Sequence, residues 1–132
     1  MIELPEAFYQ DIVAQAREEY PNEACGLIAS EAGVPVRLFR MRNADESPVT
    51  YRLDPKEQLE VFNEMDDRGW DLFAIYHSHT GSEAYPSPTD VRLALYPEAS
   101  YLLLSLSDDE QPVLRGFSIL DGQITEHEVR VA

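Results

Sequence analysis

Two histidines one residue apart, His77 and His79, close an apolar run, Leu72-Phe73-Ala74-Ile75-Tyr76. In a strand, residues two apart project to the same side, so both imidazoles face one way and Ser78 faces the other. Their side-chain origins then lie ~6–7 Å apart at a rise of ~3.3 Å per residue. Two imidazoles so placed can converge on one ion through bonds of about 2.0–2.1 Å. A zinc site that keeps one position for water needs a third protein ligand. Asp90 is the candidate, because the stretch from Thr80 to Pro86 is long enough to fold back and bring the start of the next helix beside the strand end. A carboxylate there stays ionised, since the amides of a helix start favour negative charge.

Each piece also has a plainer reading. Two histidines at a strand end serve as surface or hydrogen-bonding residues in many proteins. Ser87-Pro88-Thr89-Asp90, taken alone, reads first as a capping box, with Ser87 the N-cap and Asp90 supporting it from the third helical position. What favours a metal is the combination: both patterns follow one apolar strand, with a proline-limited loop between them.

These residues resemble a known family. His77-x-His79, seven residues, Ser87, two residues and Asp90, with Glu23 upstream in Pro21-Asn22-Glu23-Ala24-Cys25-Gly26-Leu27, is similar to the JAMM motif of MPN-domain metallopeptidases. The resemblance extends over nearly the whole chain. It implies that His77, His79 and Asp90 bind one Zn²⁺ per chain, with water as the fourth ligand. It further implies that Glu23 is the general base, passing the water's proton to the leaving amine, and that Ser87 donates its hydroxyl to the oxyanion. Many members carry proline after the second histidine, where this chain has Thr80; that position binds no metal. Non-catalytic MPN domains lose one or more ligands, and here all are present.

Two stretches resemble the bacterial branch that trims a ubiquitin-like sulfur carrier protein: Tyr76 to Thr80 with Glu83 to Ser87, and Asn43-Ala44 to Ser47-Pro48 leading into Tyr51-Arg52-Leu53-Asp54. This implies hydrolysis of the C-terminal Gly–Cys amide of the carrier, releasing L-cysteine in cysteine biosynthesis, with a cysteine synthase as a further partner in the same pathway. A chain this short has little room for large insertions that grip a branched conjugate. A broader isopeptidase on carrier–lysine conjugates is the alternative within the family, and a non-catalytic protein-binding scaffold is the alternative outside enzymology. Arg52 is the candidate to receive the carboxylate of the cysteine, because arginine suits bidentate carboxylate recognition. Its other reading is a solvent-facing strand residue.

The elements that must position these groups follow from periodicity. Glu6 to Tyr20 reads as a helix, with Phe8, Ile12, Val13 and Ala16 on one stripe and Pro21 as the stop. Ala24 to Ser30 reads as a buried strand. Val34 to Arg42 reads as a half-exposed one with a slip near Phe39. Asn43 to Pro48 is rich in turn residues, and Val49 to Leu53 is a further short strand. Asp54 caps a second helix opened by Pro55, with Leu59, Phe62 and Met65 facing inward and Gly69 ending it. Strand Leu72 to His79, a short helix from Pro88 to about Leu95, and strands Tyr101 to Leu106 and Val113 to Leu120 follow. Asp121-Gly122 turns into a last strand ending near Val131. The class is α/β, a mixed β-sheet flanked by helices in one domain over residues 1–132; the resemblance implies the JAMM/MPN fold, related to that of cytidine deaminases.

Composition excludes other classes. The formal charge is −15, from 25 acids against 10 bases, so a phosphate backbone is repelled and nucleic acid is not an expected partner. The start of the chain is acidic and lacks a signal-peptide pattern, and no apolar stretch approaches the ~20 residues that cross a bilayer. A soluble, cytoplasmic protein is expected. The one cysteine, Cys25, forms no internal disulfide and reads as a small buried strand residue, not a nucleophile. His127 reads as a surface residue, and Asp108-Asp109-Glu110 as a solvated turn.

Overall fold

The computed structural model describes residues 1–132. Eleven elements follow one another: β1 (Ile2–Leu4), α1 (Glu6–Glu19), β2 (Cys25–Glu31), β3 (Val34–Met41), α2 (Pro55–Arg68), β4 (Asp71–His79), α3 (Pro88–Arg92), β5 (Ser100–Ser105), β6 (Val113–Leu120), β7 (Gln123–His127) and β8 (Val129–Val131). Six strands form one sheet in the order β3-β2-β4-β5-β6-β7. The β4–β5 pair is parallel, and every other neighbouring pair in that sheet is antiparallel. A parallel pair needs a crossover connection, and α3 lies within it. The expected mixed sheet is what forms.

Strand alternation sorts the core into two layers. Ala74 and Tyr76 of β4 join Ile28, Leu102 and Leu104 against Ile12, Val13 and Ala16 of α1. Ile75 faces the other way, with Leu27, Leu103 and Phe117, under Val61 and Phe62 of α2 and Val91 of α3. His77 and His79 share the parity of Ile75, so they point to the α2 and α3 side. The α1 layer is locked by a buried polar chain: the Tyr76 hydroxyl donates to Gln15 Oε1 at 2.5 Å, and Gln15 Nε2 donates to the Cys25 carbonyl at 2.9 Å. Only glycine fits at position 26, since a Cβ there would collide with the Tyr76 hydroxyl and the Phe39 carbonyl.

Several boundaries differ from the sequence expectation, each for a local reason. Val49 to Leu53 is not a strand; it meets Asn43 in a single bridge, Asn43 with Leu53, and the Asn43 side chain binds much of the loop's backbone. The irregularity in β3 falls at Val36, not Phe39: Ala29 pairs with Arg37 and Ser30 with Pro35. Pro35 has no N–H to offer the ladder, which places the slip beside it. Phe39 and Met41 are buried, while Arg40 turns to Asp11 and Glu18 of α1. Leu59 is 62% exposed; Val61, Phe62 and Met65 carry the inner face of α2. Helix α3 stops at Arg92, leaving Leu95 exposed. The last strand divides, and β8 departs to pair in parallel with β1.

The capping and turn expectations are met. Asp54 accepts from the amides of Lys56 and Glu57, and Gly69 ends α2 at φ 69°. Asp121 and Gly122 both take positive φ in the β6–β7 turn, as a two-residue hairpin requires. No helix is long and apolar enough to cross a membrane.

Candidate active site

Strand register brings the first two groups together. Cys25 pairs with His77 and Gly26 with Tyr76 in antiparallel β2 and β4. Continuing that register two residues beyond this last pair, to the end of β4 and just before β2, sets Glu23 opposite His79, on the same face. The junction is held by reciprocal bonds on the far side: the Ser78 amide donates to the Ala24 carbonyl at 3.0 Å, and the Ala24 amide donates to Ser78 Oγ at 2.8 Å. Ser78 therefore serves the frame while its neighbours serve the site. Glu23 is buried, and its Oε1 has no hydrogen-bond partner.

Asp90 reaches the same place from α3. His77 Nε2 and His79 Nε2 lie 3.3 Å apart, and Asp90 Oδ2 lies 3.2 Å from the first and 3.0 Å from the second. One ligand atom from each residue falls within 4.8 Å of the others. His79 Nδ1 sits 2.8 Å from the Glu83 carbonyl, to which it donates; in the neutral ring, the form that binds a metal, that bond fixes the tautomer and leaves the Nε2 lone pair for the ion. Ser87 and Asp90 also form the capping box: Ser87 Oγ accepts from the Asp90 amide at 3.0 Å, and Asp90 Oδ2 accepts from the Ser87 amide at 2.9 Å. The cap and the ligand readings of Asp90 are thus compatible. The cap aims the carboxylate at the histidines. Two imidazoles and one carboxylate, with Glu23 Oε1 left unpaired beside them, fit a divalent ion of zinc's preferences.

Burial and neighbours set the charges. Burial lowers the His77 pKa, favouring a neutral ring. At His79 burial works in the same direction, but the Asp90 carboxylate and the Glu83 carbonyl outweigh it and raise the value. Burial would raise Asp90, yet its bonds from the two imidazoles and the Ser87 amide hold it well below the usual carboxylate range. Glu23 has no such bonds. Burial pushes its carboxyl up to about 8, with His79 pulling down and Asp90 pushing up. A raised glutamate beside an ionised aspartate is the separation that acid–base chemistry uses.

Glu23, His79 and Ser87 open on one cavity of about 220 Å³, lined also by Pro48, Val49, Thr80, Gly81 and Ser82. A larger hollow of about 390 Å³ between Arg17, Tyr20, Leu106 and Asp109 holds no comparable group of ligands. Arg52 is not brought to the Glu23 cavity. Its Nε donates to Asp45 at 3.3 Å, and it lines a neighbouring, mostly apolar cavity with Tyr51, Leu53 and Tyr96. Cys25 is fully buried behind His77, and burial pushes its thiol up to about 12, so no thiolate is available as a nucleophile. His127 is half-buried and bonded to Ser118 at 2.7 Å, remote from the cluster.

Two residues escape a reading by spacing. The buried Asn43 donates to the carbonyls of Glu23, Ser47 and Thr50 and accepts from the amides of Asp45 and Arg52. It ties the loop over the site to the backbone of Glu23. Tyr51 stacks on His77 with ring centroids 4.1 Å apart. An asparagine opening a turn and an aromatic residue just before the Asp54 cap were the available signals.

Residues 5–119 match the family described as prokaryotic homologs of the JAB domain. A protein of Mycobacterium tuberculosis named CysO-cysteine peptidase is 48% identical over 122 residues, covering 91% of this chain and 84% of its own length. A desampylase of Haloferax volcanii is 32% identical over 124 residues, covering 89% and 79%. The solution structure of protein DSY2949 from Desulfitobacterium hafniense superposes with a TM-score of 0.88 at 35% identity, covering all of this chain and 93% of that one.

Proposed function

Since the chain belongs to the family of prokaryotic homologs of the JAB domain, we propose that it is a zinc metallopeptidase acting on a ubiquitin-like sulfur carrier protein. Residues 1–132 work as one domain in this reading. The bond hydrolysed is the C-terminal Gly–Cys amide of the carrier, and the product is L-cysteine. The observation that carries the reading is local: three ligand atoms and an unpartnered buried carboxylate oxygen meet beside one small cavity. The substrate follows the name of the mycobacterial relative at 48% identity.

His77, His79 and Asp90 would hold the ion. Zinc in such a site supplies Lewis acidity and lowers the pKa of water from 15.7 to about 7. Glu23 takes the proton of the attacking water at its free Oε1 and returns it to the leaving amine. Burial raises this carboxyl in the metal-free protein, and a dication at the three ligands would bring it down again to a carboxylate that can accept the proton and give it back. Ser87 Oγ already accepts one bond, from the Asp90 amide, so its hydroxyl proton is free to donate to the oxyanion of the tetrahedral intermediate. Replacing Ser87 with alanine should lower kcat by about 10²–10³ with KM little changed, as read in steady-state cleavage assays. The setting is cytoplasmic in this reading, and a cysteine synthase supplies the carrier–cysteine adduct.

The name of the desampylase favours a second reading, in which carrier–lysine conjugates are cut as well. One experiment separates the possibilities. Zinc-loaded protein is incubated with a carrier extended by one cysteine and, separately, with a carrier–lysine conjugate, and intact masses are followed. We expect the first to lose one cysteine residue and the second to persist. Equal cleavage of both would establish the broader isopeptidase. Binding of the carrier with no loss of mass would establish a non-catalytic scaffold.

A further inference from the structure

The two histidines are held in different ways. His79 has the usual support of a metal-binding imidazole: its second nitrogen donates to the Glu83 carbonyl at 2.8 Å. His77 has none. Its ring is 1% exposed, and its Nδ1 has no hydrogen-bond partner. A ring without that bond is free to rotate about Cβ–Cγ unless packing prevents it, and any rotation carries Nε2 away from Asp90.

Packing does prevent it. Tyr51 lies flat against the His77 ring, with centroids 4.1 Å apart and planes within 20° of parallel. His79 meets the same ring at 5.1 Å and 62°, edge to face. Tyr51 is fixed in turn by its loop, whose Thr50 carbonyl and Arg52 amide are both bound by the buried Asn43 side chain. It also lines the apolar cavity of Leu53, Tyr96 and Tyr101. We propose that Tyr51 is a positioning residue for the metal site, its aromatic face replacing at His77 the hydrogen bond that orients His79. An aromatic face also favours a ring that gains positive character when its Nε2 binds a cation. The inference rests on the metal reading above, but it concerns affinity and geometry, not cleavage.

The test is zinc affinity by competition with a chromophoric chelator, in the parent and in Tyr51→Phe, Tyr51→Leu and Tyr51→Met. Phenylalanine keeps the face and should bind within about threefold of the parent. Leucine and methionine should bind about 10-fold or more weakly, the scale on which supporting residues act, and should alter the visible spectrum of the cobalt-substituted site. Melting of the chelated proteins shows whether each variant is folded, and two non-aromatic variants guard against the loss of one. In the chelated parent, the His77 ring protons should also resonate upfield of their position in any non-aromatic variant that folds. Parental affinity in the leucine or methionine variant would overturn the proposal. So would a phenylalanine variant as weak as leucine, which would assign the effect to the hydroxyl. A parent that binds no metal would overturn the site itself together with this inference. A parent that binds metal but cleaves no carrier would overturn only the proposed activity.

Discussion

Asp90→Asn should abolish turnover while leaving the fold of the chelated protein nearly untouched. Asp90 Oδ2 does two things at once: it accepts from the Ser87 amide at 2.9 Å, and it stands within 3.2 Å of both histidine Nε2 atoms. An asparagine oxygen can keep the first bond, because capping needs only an acceptor. It cannot supply the negative charge that the ion requires. Chelated Asp90→Asn should therefore keep the parental fold, with some loss of stability because the ionised carboxylate faces two imidazoles, bind zinc far more weakly, and cleave the carrier at below about a thousandth of the parental rate. Asp90→Ala should add a stability loss of about 1 kcal/mol for the missing cap. Calorimetry in chelator, zinc titration and intact-mass kinetics separate the two roles. An asparagine variant with full zinc affinity would remove Asp90 from the ligand set.

Local rules account for much of this site, and the limit of those rules can be located. Parity alone put His77 and His79 on one face and Ser78 on the other, because a strand's side-chain period is two and β4 is regular through His79. The cap at Ser87 and Asp90 was legible because capping is a four-residue event. Glu23 was reached through family resemblance; what places it is the Cys25–His77 register, a pairing across 52 positions that no local pattern contains. The loop carrying Tyr51 was misread as a strand. Its β-favouring residues, Val49, Thr50 and Tyr51, suggested a ladder, whereas the one buried Asn43 side chain takes up the backbone groups a ladder would have paired. Residue type offers Arg52 both as a carboxylate receptor and as a solvent-facing residue; in the structure it is exposed and pairs with Asp45, seven residues away. The slip in β3 lies at Val36 and not near Phe39, since Pro35 offers the ladder no amide, and Phe39 and Met41 are the buried residues of that strand. The misses at the Tyr51 loop turn on side chains that bond a few residues along their own chain, a competition that strand periodicity does not register.

Glu23→Gln is the sharpest separation of metal binding from proton transfer. Glutamine has nearly the same shape, and Glu23 is absent from the group of three that converge on one point, so zinc stoichiometry should remain one per chain. Cleavage should fall by about 10²–10⁴, the range that a lost general base commands. The same variant makes an independent statement in the metal-free protein. Burial holds Glu23 protonated up to about pH 8, against an ordinary value of 4.5. In the unfolded chain the carboxyl ionises from about pH 4.5 upward, whereas in the folded chain it stays protonated to about pH 8. The stability tied to this proton is thus fully present below pH 4.5 and is lost as pH rises through 8. Glutamine never ionises, so chelated Glu23→Gln should melt close to the parent at pH 5 and above it at pH 9. Loading zinc should shrink that gap, because a nearby dication favours the carboxylate and lowers its pKa. A gap that did not respond to the metal would place Glu23 too far from the ion to act on its water, and full activity in the variant would give the proton to another group.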